Sequence, residues 1–363
     1  MSTIEAVGDP VLRPLRHFDA ARAALAPRDR QKELVRRAHA FREEMLAGPQ
    51  VLYYRTFPLI SVPYPTKYAF SGAASSPSPL VHLLNRLIIV QLRSEAGVKT
   101  LLIGPSDHAR NKRTPFFEHL GQRARRLGRV GERLLAPVHG TVEEALARTG
   151  LLPEDVDYIS FDHLHTQDLR RWLGTRDEPA YFPRAKLIVS RQEWASALGL
   201  LPPQAQWYCP DGCEGVDPER LLLVDGDVRL GEGVALVRTP GHTEGNHSFV
   251  VHTSDGLLVT SENGVCPDSY APLNSAIPGL RRLARRTGVE VILNGNTLEG
   301  SVDQYLSMIV ERTIAGRSPR NPEFFNVICS SEATAYWMFP GVRPTWSAGE
   351  LEFGRPVRAG VTA

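Results

Sequence analysis

The sequence predicts an α/β protein in which two β-sheets pack together and helices cover them. Three observations lead to this class. Strand-like runs come in two blocks, one ahead of residue 104 and one between residues 221 and 260, and each is followed by helical periodicity. A β-hairpin stands out in the first block, where Leu87-Ile-Ile-Val-Gln-Leu and Val98-Lys-Thr-Leu-Leu-Ile flank the turn Ser94-Glu-Ala-Gly97. The chain of 363 residues, 42% hydrophobic and 23% charged, can bury a large core and has the make-up of a soluble globular protein.

Residues 18–48 read as helix: Leu34, Ala38, Phe41 and Met45 recur at helical spacing, and Gly48-Pro49 stops the pattern. This gives an N-terminal helical arm over residues 1–50. Val51-Leu-Tyr-Tyr-Arg-Thr-Phe is a β-rich run, followed by Pro58, Pro63 and Pro65 and a Gly/Ala/Ser/Pro loop at 71–79. After the hairpin, the loop at 104–111 leads to a helix around 115–126. Thr141-Val-Glu-Glu144 is a capping box opening a short helix that Gly150 ends. Strands are expected at 156–161 and 185–190, then a helix at 191–198 and a proline-rich loop insertion at 200–218. Four strand-like runs (221–224, 234–238, 247–252, 256–260), a helix near 277–286 and a strand at 289–293 complete a body over 51–300. Residues 301–363 supply a helix, 302–314, and an irregular aromatic tail that packs on the same body or covers a pocket mouth.

Bulk properties exclude several classes. The formal charge is +2, and the arginine clusters at 123–126 and 281–286 fall on helical stretches with apolar partners, so they read as solvated faces and not as a nucleic-acid surface. Four cysteines are too few for a disulfide scaffold, and Cys209-Pro-Asp-Gly-Cys213 has no second pair with which to build a zinc site. The N-terminus lacks a basic start with an apolar run behind it, and no apolar run is long enough to span a bilayer. The expectation is a cytoplasmic protein with no membrane partner. No GxSxG elbow, Walker loop or GxGxxG is present.

The chemistry concentrates in Phe161-Asp162-His163-Leu164-His165-Thr166-Gln167-Asp168, just after a predicted strand. Histidines at i and i+2 on an extended chain point to one side, so His163 and His165 can reach one metal ion together, with the carboxylate of Asp168 close by in sequence. A second polar segment, Thr239-Pro-Gly-His-Thr-Glu-Gly-Asn-His-Ser248, brings His242 to a loop on a Pro-Gly turn, and Gly245 lets the chain fold back closely. With His163 and His165 it would make a three-imidazole site, a favoured set for zinc or iron. His247 and His252 read as packed or hydrogen-bonded, and His108 as a surface residue, with a position at the site mouth as the alternative.

These segments, with the hairpin, the run Gly150-Leu-Leu-Pro-Glu-Asp-Val-Asp and Phe182-Pro-Arg-Ala-Lys, resemble the metallo-β-lactamase fold superfamily, nearest in style to its lactonase-like hydrolases. The resemblance covers roughly residues 51–300 and implies a four-layer αβ/βα sandwich with metal at one edge of the paired sheets. The family pattern is HxHxDH, a later His, a bridging Asp and a last His. His163, His165 and His242 match the first, second and later histidines. Gln167 and Asp168 stand where the family has Asp and His, Glu262 stands at the bridging Asp, and Asn296 at the last His. The resemblance therefore implies one well-held divalent metal, zinc with iron or manganese as alternatives, completed by Glu262 or Asp168, and a degenerate second site that is weak or absent.

The expected function is metal-dependent hydrolysis of an ester, lactone, thioester or related small-molecule substrate, with Asp168 or Glu262 orienting the water and moving its proton. The altered second site keeps two alternatives open: a ligand-binding module that has lost hydrolysis, and an iron-dependent oxygen-using enzyme. A homodimer through the helical arm is a further expectation.

Overall fold

The structure, a computed structural model, describes residues 9–124, 128–295 and 300–358. In chain order the strands are β1 (Leu12–Leu15), β2 (Tyr53–Pro65), β3 (Leu80–Ser94), β4 (Gly97–Ile103), β5 (Tyr158–Ser160), β6 (Lys186–Ser190) and β7 (Leu221–Val224). They continue as β8 (Asp227–Leu230), β9 (Val234–Arg238), β10 (His247–Thr253), β11 (Gly256–Ser261), β12 (Val327–Cys329), β13 (Ser331–Thr334) and β14 (Glu352–Gly354). One sheet runs β14-β2-β3-β4-β5-β6-β7, with β13 paired to β3, and the other runs β1-β8-β9-β10-β11-β12.

Period-two alternation along the strands builds the layers. On β3, Ile88 and Val90 point between the sheets, where they meet Leu236, Phe249, Val251 and Leu258 of the second sheet. Leu87 and Ile89 point the other way, into a core with Leu146 and Trp172 from the covering helices. On β10, Val250 turns away from Phe249 and Val251 to join Leu34, Phe41, Met308 and Ile314. Helix, sheet, sheet and helix thus stack as the expected αβ/βα sandwich.

The parallel pairs β4–β5, β5–β6 and β6–β7 set where a site can form. Loops leaving the carboxyl ends of parallel strands open a crevice that sheet side chains do not fill. The chain leaves β5 at Ser160 directly into the histidine stretch, and the β9–β10 connection carries His242.

Several sequence expectations are met residue by residue. Thr141 and Glu144 form a reciprocal capping box, and Gly150 ends the helix Val142–Thr149 in the left-handed conformation, φ 70°. The hairpin pairs Ile88 with Ile103 through Ser94 with Gly97. The helix expected at 191–198 is Arg191–Leu198. That expected around 115–126 is Pro115–Ala124, with the remaining two positions outside the described residues.

Four expectations are corrected. The helix read across 18–48 is broken: Asp19–Arg22 is one turn, and the long helix starts afresh with Pro27 at its first position, where proline's missing N–H costs nothing. Strand β2 continues past Phe57 through Pro58, Pro63 and Pro65. The register shifts between Pro58 and Ile60, β14 covers β2 only at Tyr53–Arg55, and beyond it a single antiparallel bridge, Ile60 with Val138, meets that edge among the described residues, so the later prolines interrupt no continuous ladder there. Residues 289–293 form no strand; Val291 and Ile292 are buried, and the edge of β11 is taken in parallel by β12 instead. The C-terminal tail is more regular than expected, because β12, β13 and β14 join the two sheets.

The arm is integrated as well. Leu34, Ala38, Phe41 and Met45 of the helix Pro27–Ala47 are all buried, in one core with residues of the helix Ser301–Ala315. Arg22 makes two 2.7 Å contacts to the buried carboxylate of Asp227 and tethers the arm to the second sheet. No helix among the described residues is long and apolar enough to cross a membrane.

Phe249 has no exposure and lies between the sheets. Phe249→Ala is expected to lower stability by about 3–5 kcal/mol, the usual loss for truncating a core aromatic, measured by urea unfolding.

Candidate metal centre

After β5 the backbone bends through Asp162 and His163 and turns at His165 and Thr166, with Thr166 at φ 66°. The stretch is therefore not the extended chain assumed from sequence, yet the two histidines still converge. His242 arrives from the β9–β10 connection, where Gly241 takes φ 143° because Gln304 approaches to within 2.2 Å of where a Cβ would lie. The ligand nitrogens of His163, His165 and His242 all lie within 4.8 Å of one another, and all three residues are buried. Ring centroids are 4.5–5.0 Å apart and the rings are steeply inclined, at 73–88°, so they surround a point and do not stack.

The electrostatics suit cation ligation. Burial, then the charges of His163 and His242, hold His165 well below the usual imidazole range. Burial and the charge on His163 lower His242 to about 3. Both rings are held toward the neutral form, in which a nitrogen lone pair is free to bind a cation. His163 differs: burial opposes its charge, but the carboxylate of Asp162 outweighs it and lifts the ring to about 9. Asp162 Oδ1 lies 3.2 Å from His163 Nδ1, and its Oδ2 accepts from the Ser330 hydroxyl at 2.8 Å. A buried set of three imidazoles, one backed by a carboxylate, is a donor set that fits a divalent ion.

The two carboxylates expected at the site separate. Glu262 lies with Asp162 and His163 in a second group whose ligand atoms fall within 4.8 Å of each other. It lines the same cavity, and burial, partly countered by His163, pushes its carboxyl up to about 7. Asp168 belongs to neither group. Its carboxylate accepts from Arg170 Nε at 3.0 Å and the Arg170 backbone N–H at 3.1 Å, and also pairs with the Arg170 Nη2. The reason is local: Asp168 stands just ahead of the helix Arg170–Leu173 and satisfies its first turn. Gln167 Oε1 accepts from Asn111 at 3.1 Å, and Asn111 also accepts from the Asp168 backbone N–H. Asn296 lies outside the described residues.

The remaining histidines take the roles read for them, with one refinement. His247 is buried against Phe249, and His252 Nδ1 lies 3.2 Å from the Pro49 carbonyl. His108 is half-buried and lines the cavity.

Sequence reasoning missed the groups beneath the histidines. Glu193 has no exposure. Its Oε1 accepts from the Leu164 N–H at 2.8 Å and the Tyr208 hydroxyl at 3.0 Å, and its Oε2 accepts from Thr243 Oγ1 at 2.6 Å. Ser190 caps the same helix by accepting from the Glu193 N–H, so the Ser-x-x-Glu spacing reads equally well as an exposed capping box. The only local signal was Gly245, whose missing Cβ would lie 2.2 Å from the Glu193 nitrogen. On the far side, Asn263 Oδ1 accepts from the His242 N–H at 3.0 Å, and its amide donates to the buried Glu311 at 2.7 Å.

A cavity of about 580 Å³ opens on the site. Tyr64, Phe116 and Trp207 form one wall, with Phe116 and Trp207 ring centroids 4.5 Å apart and Trp207 6.4 Å from His165. Part of the wall comes from Phe116, Leu120, Leu135 and Val138, which were not expected there from sequence.

No family model matches the chain. It is 28% identical over 128 residues to an N-acyl homoserine lactonase from a Bacillus species, covering 34% of this chain and 45% of that protein. Over 127 residues it is 26% identical to an N-acyl homoserine lactonase from Bacillus thuringiensis, again 34% and 45% of the two chains. The matches thus span less than half the length of those lactonases. Among solved structures, a probable metal-dependent hydrolase from Staphylococcus aureus aligns at TM-score 0.49 and 14% identity, over 71% of this chain and 83% of its own. A dizinc quorum-quenching lactonase aligns at TM-score 0.47 and 12% identity, over 85% and 99%. Likeness at that distance supports no inference about the site. The chain thus combines a two-sheet αβ/βα sandwich and a buried three-histidine group with sequence similarity to N-acyl homoserine lactonases over about a third of its length.

Proposed function

We propose that the protein is a metal-dependent hydrolase of a small-molecule ester, lactone, thioester or related carbonyl substrate. The observation that carries this reading is the convergence of three buried imidazoles, two of which, His163 and His165, line a cavity of about 580 Å³. His163, His165 and His242 would hold one divalent ion, zinc by its donor set with iron or manganese as the other candidates, and such an ion supplies an activated water and a polarised carbonyl.

The protein's own groups divide the remaining work. Asp162 Oδ1 lies 3.2 Å from His163 Nδ1, so that side of the ring faces the carboxylate and Nε2 would be the ligand atom. Glu262, on the cavity wall with its carboxyl near neutrality, holds and passes the proton. Asp168 is given no catalytic part, because its carboxylate is already engaged by Arg170. Tyr64, Phe116 and Trp207 offer the apolar part of a substrate a wall beside His165 and exclude water there.

A second reading rests on Gln167 and Asp168. Both side chains are tied to Asn111 or Arg170, so the side that carries a second ion in the family is committed to other contacts. A binding module that holds its ligand without turnover is consistent with this. Tight binding with no hydrolysis across ester, lactone and thioester panels, with zinc, iron or manganese supplied, would establish it over the first reading.

Metal analysis of purified protein is expected to give about one equivalent of divalent ion. His163→Ala should lose that ion and at least about a hundredfold in kcat/KM, the scale of losing a metal-activated nucleophile. Equal hydrolysis by the variant contradicts the reading. Asp162→Asn should keep the fold and weaken metal affinity by about 10–100-fold, measured by competition with a chromogenic chelator.

A further inference from the structure

We infer that Glu193 is a positioning residue, a buried carboxylate that sets the spacing of the three histidines and hence the metal affinity of the site. The inference rests on the metal-binding reading above and adds a residue that touches none of the imidazoles. Its three hydrogen bonds reach the three parts of the site separately. The Leu164 N–H, 2.8 Å from Oε1, lies between His163 and His165 in the chain. The Thr243 hydroxyl, 2.6 Å from Oε2, belongs to the residue that follows His242. The Tyr208 hydroxyl, 3.0 Å from Oε1, carries a ring that meets His165 edge-on at a centroid distance of 4.8 Å.

Two segments from different sheets are therefore joined through one carboxylate. The histidine stretch follows β5 of the first sheet, and the Thr243 loop links β9 and β10 of the second. Glu193 itself is anchored by the Ser190 cap on the helix Arg191–Leu198, and Gly245 packs on its backbone with no room for a side chain. Such a carboxylate is costly to bury, and three donors repay that cost only while both loops stay in place. An ordinary core contact could be apolar. A group placed here must accept from both loops at once, and only that requirement explains an acid with no exposure.

The consequence separates from mere folding. Glutamine is the same shape: its Oε1 can accept from Leu164 and Tyr208, and the Thr243 hydroxyl can turn to accept from its amide. Alanine removes all three links. Cobalt(II) titration, followed by the d–d absorption of the bound ion, reads the geometry without any substrate. Glu193→Gln is expected to bind cobalt within about threefold of the unaltered protein and with the same band shape. Glu193→Ala is expected to lose tenfold or more in affinity, with a shifted or weakened band. Thr243→Val and Tyr208→Phe each remove one link at little risk to folding and should fall between. If Glu193→Ala does not fold, these two variants decide the matter. Unchanged cobalt affinity and spectrum in folded Glu193→Ala, or in both single-link variants, overturns the inference. Failure of the unaltered protein to bind cobalt, zinc or iron is a different result and removes the metal-site reading itself.

Discussion

The loops that carry the histidines meet on one buried carboxylate, Glu193, that sequence reasoning does not single out. Glu193 is buried without an ion-pair partner, and its stability there comes from three donors that it gathers from two loops and one aromatic side chain. Those donors belong to the segments that carry the histidines, so satisfying one buried acid and bringing the imidazoles together are the same structural event. A loop that drifted would leave a buried carboxyl without its hydrogen-bond donors, a costly loss in a protein interior.

Glu311 plays a similar part on the other side. It lies on the helix Ser301–Ala315 with no exposure and accepts from Ser248, Asn263 and Tyr270. Through Asn263 it reaches the backbone N–H of His242. Two buried glutamates, one on the helix Arg191–Leu198 and one on the helix Ser301–Ala315, thus bond to the segments that carry the three histidines. The apolar layers and the polar network are interdependent: packing brings the loops to one edge, and the acids decide their last ångström.

The layered fold is legible in the sequence because its signal is local. Alternation on β3, the Thr141–Glu144 box and the turn at Ser94–Gly97 each depend on a few neighbouring residues. The three histidines are legible for a related reason: their residue type is rare and their motif short. Reach is what fails. The prolines of β2 are tolerated because the edge beyond β14 carries only one isolated bridge among the described residues, and the 289–293 segment loses its ladder to a strand some forty residues later. Asp162 and Asp168 show the same limit. Period-two reasoning turns Asp162 away from His163, but the backbone bends just there, while Asp168 is drawn off by an arginine two residues along. Glu193 is invisible for the strongest reason, since its three partners come from Leu164, Tyr208 and Thr243 and only the fold unites them.

Everything proposed for the site requires that the chain present a preformed three-imidazole ligand set to one divalent ion. The sharpest test is a crystal grown from protein purified without chelators, with anomalous data collected above and below the zinc, iron and manganese edges. The expected result is one strong anomalous peak within ligand distance of His163, His165 and His242, with Asp168 still paired to Arg170. Well-ordered imidazoles with no peak after soaking in each of the three ions, or a peak held by other residues, would contradict it.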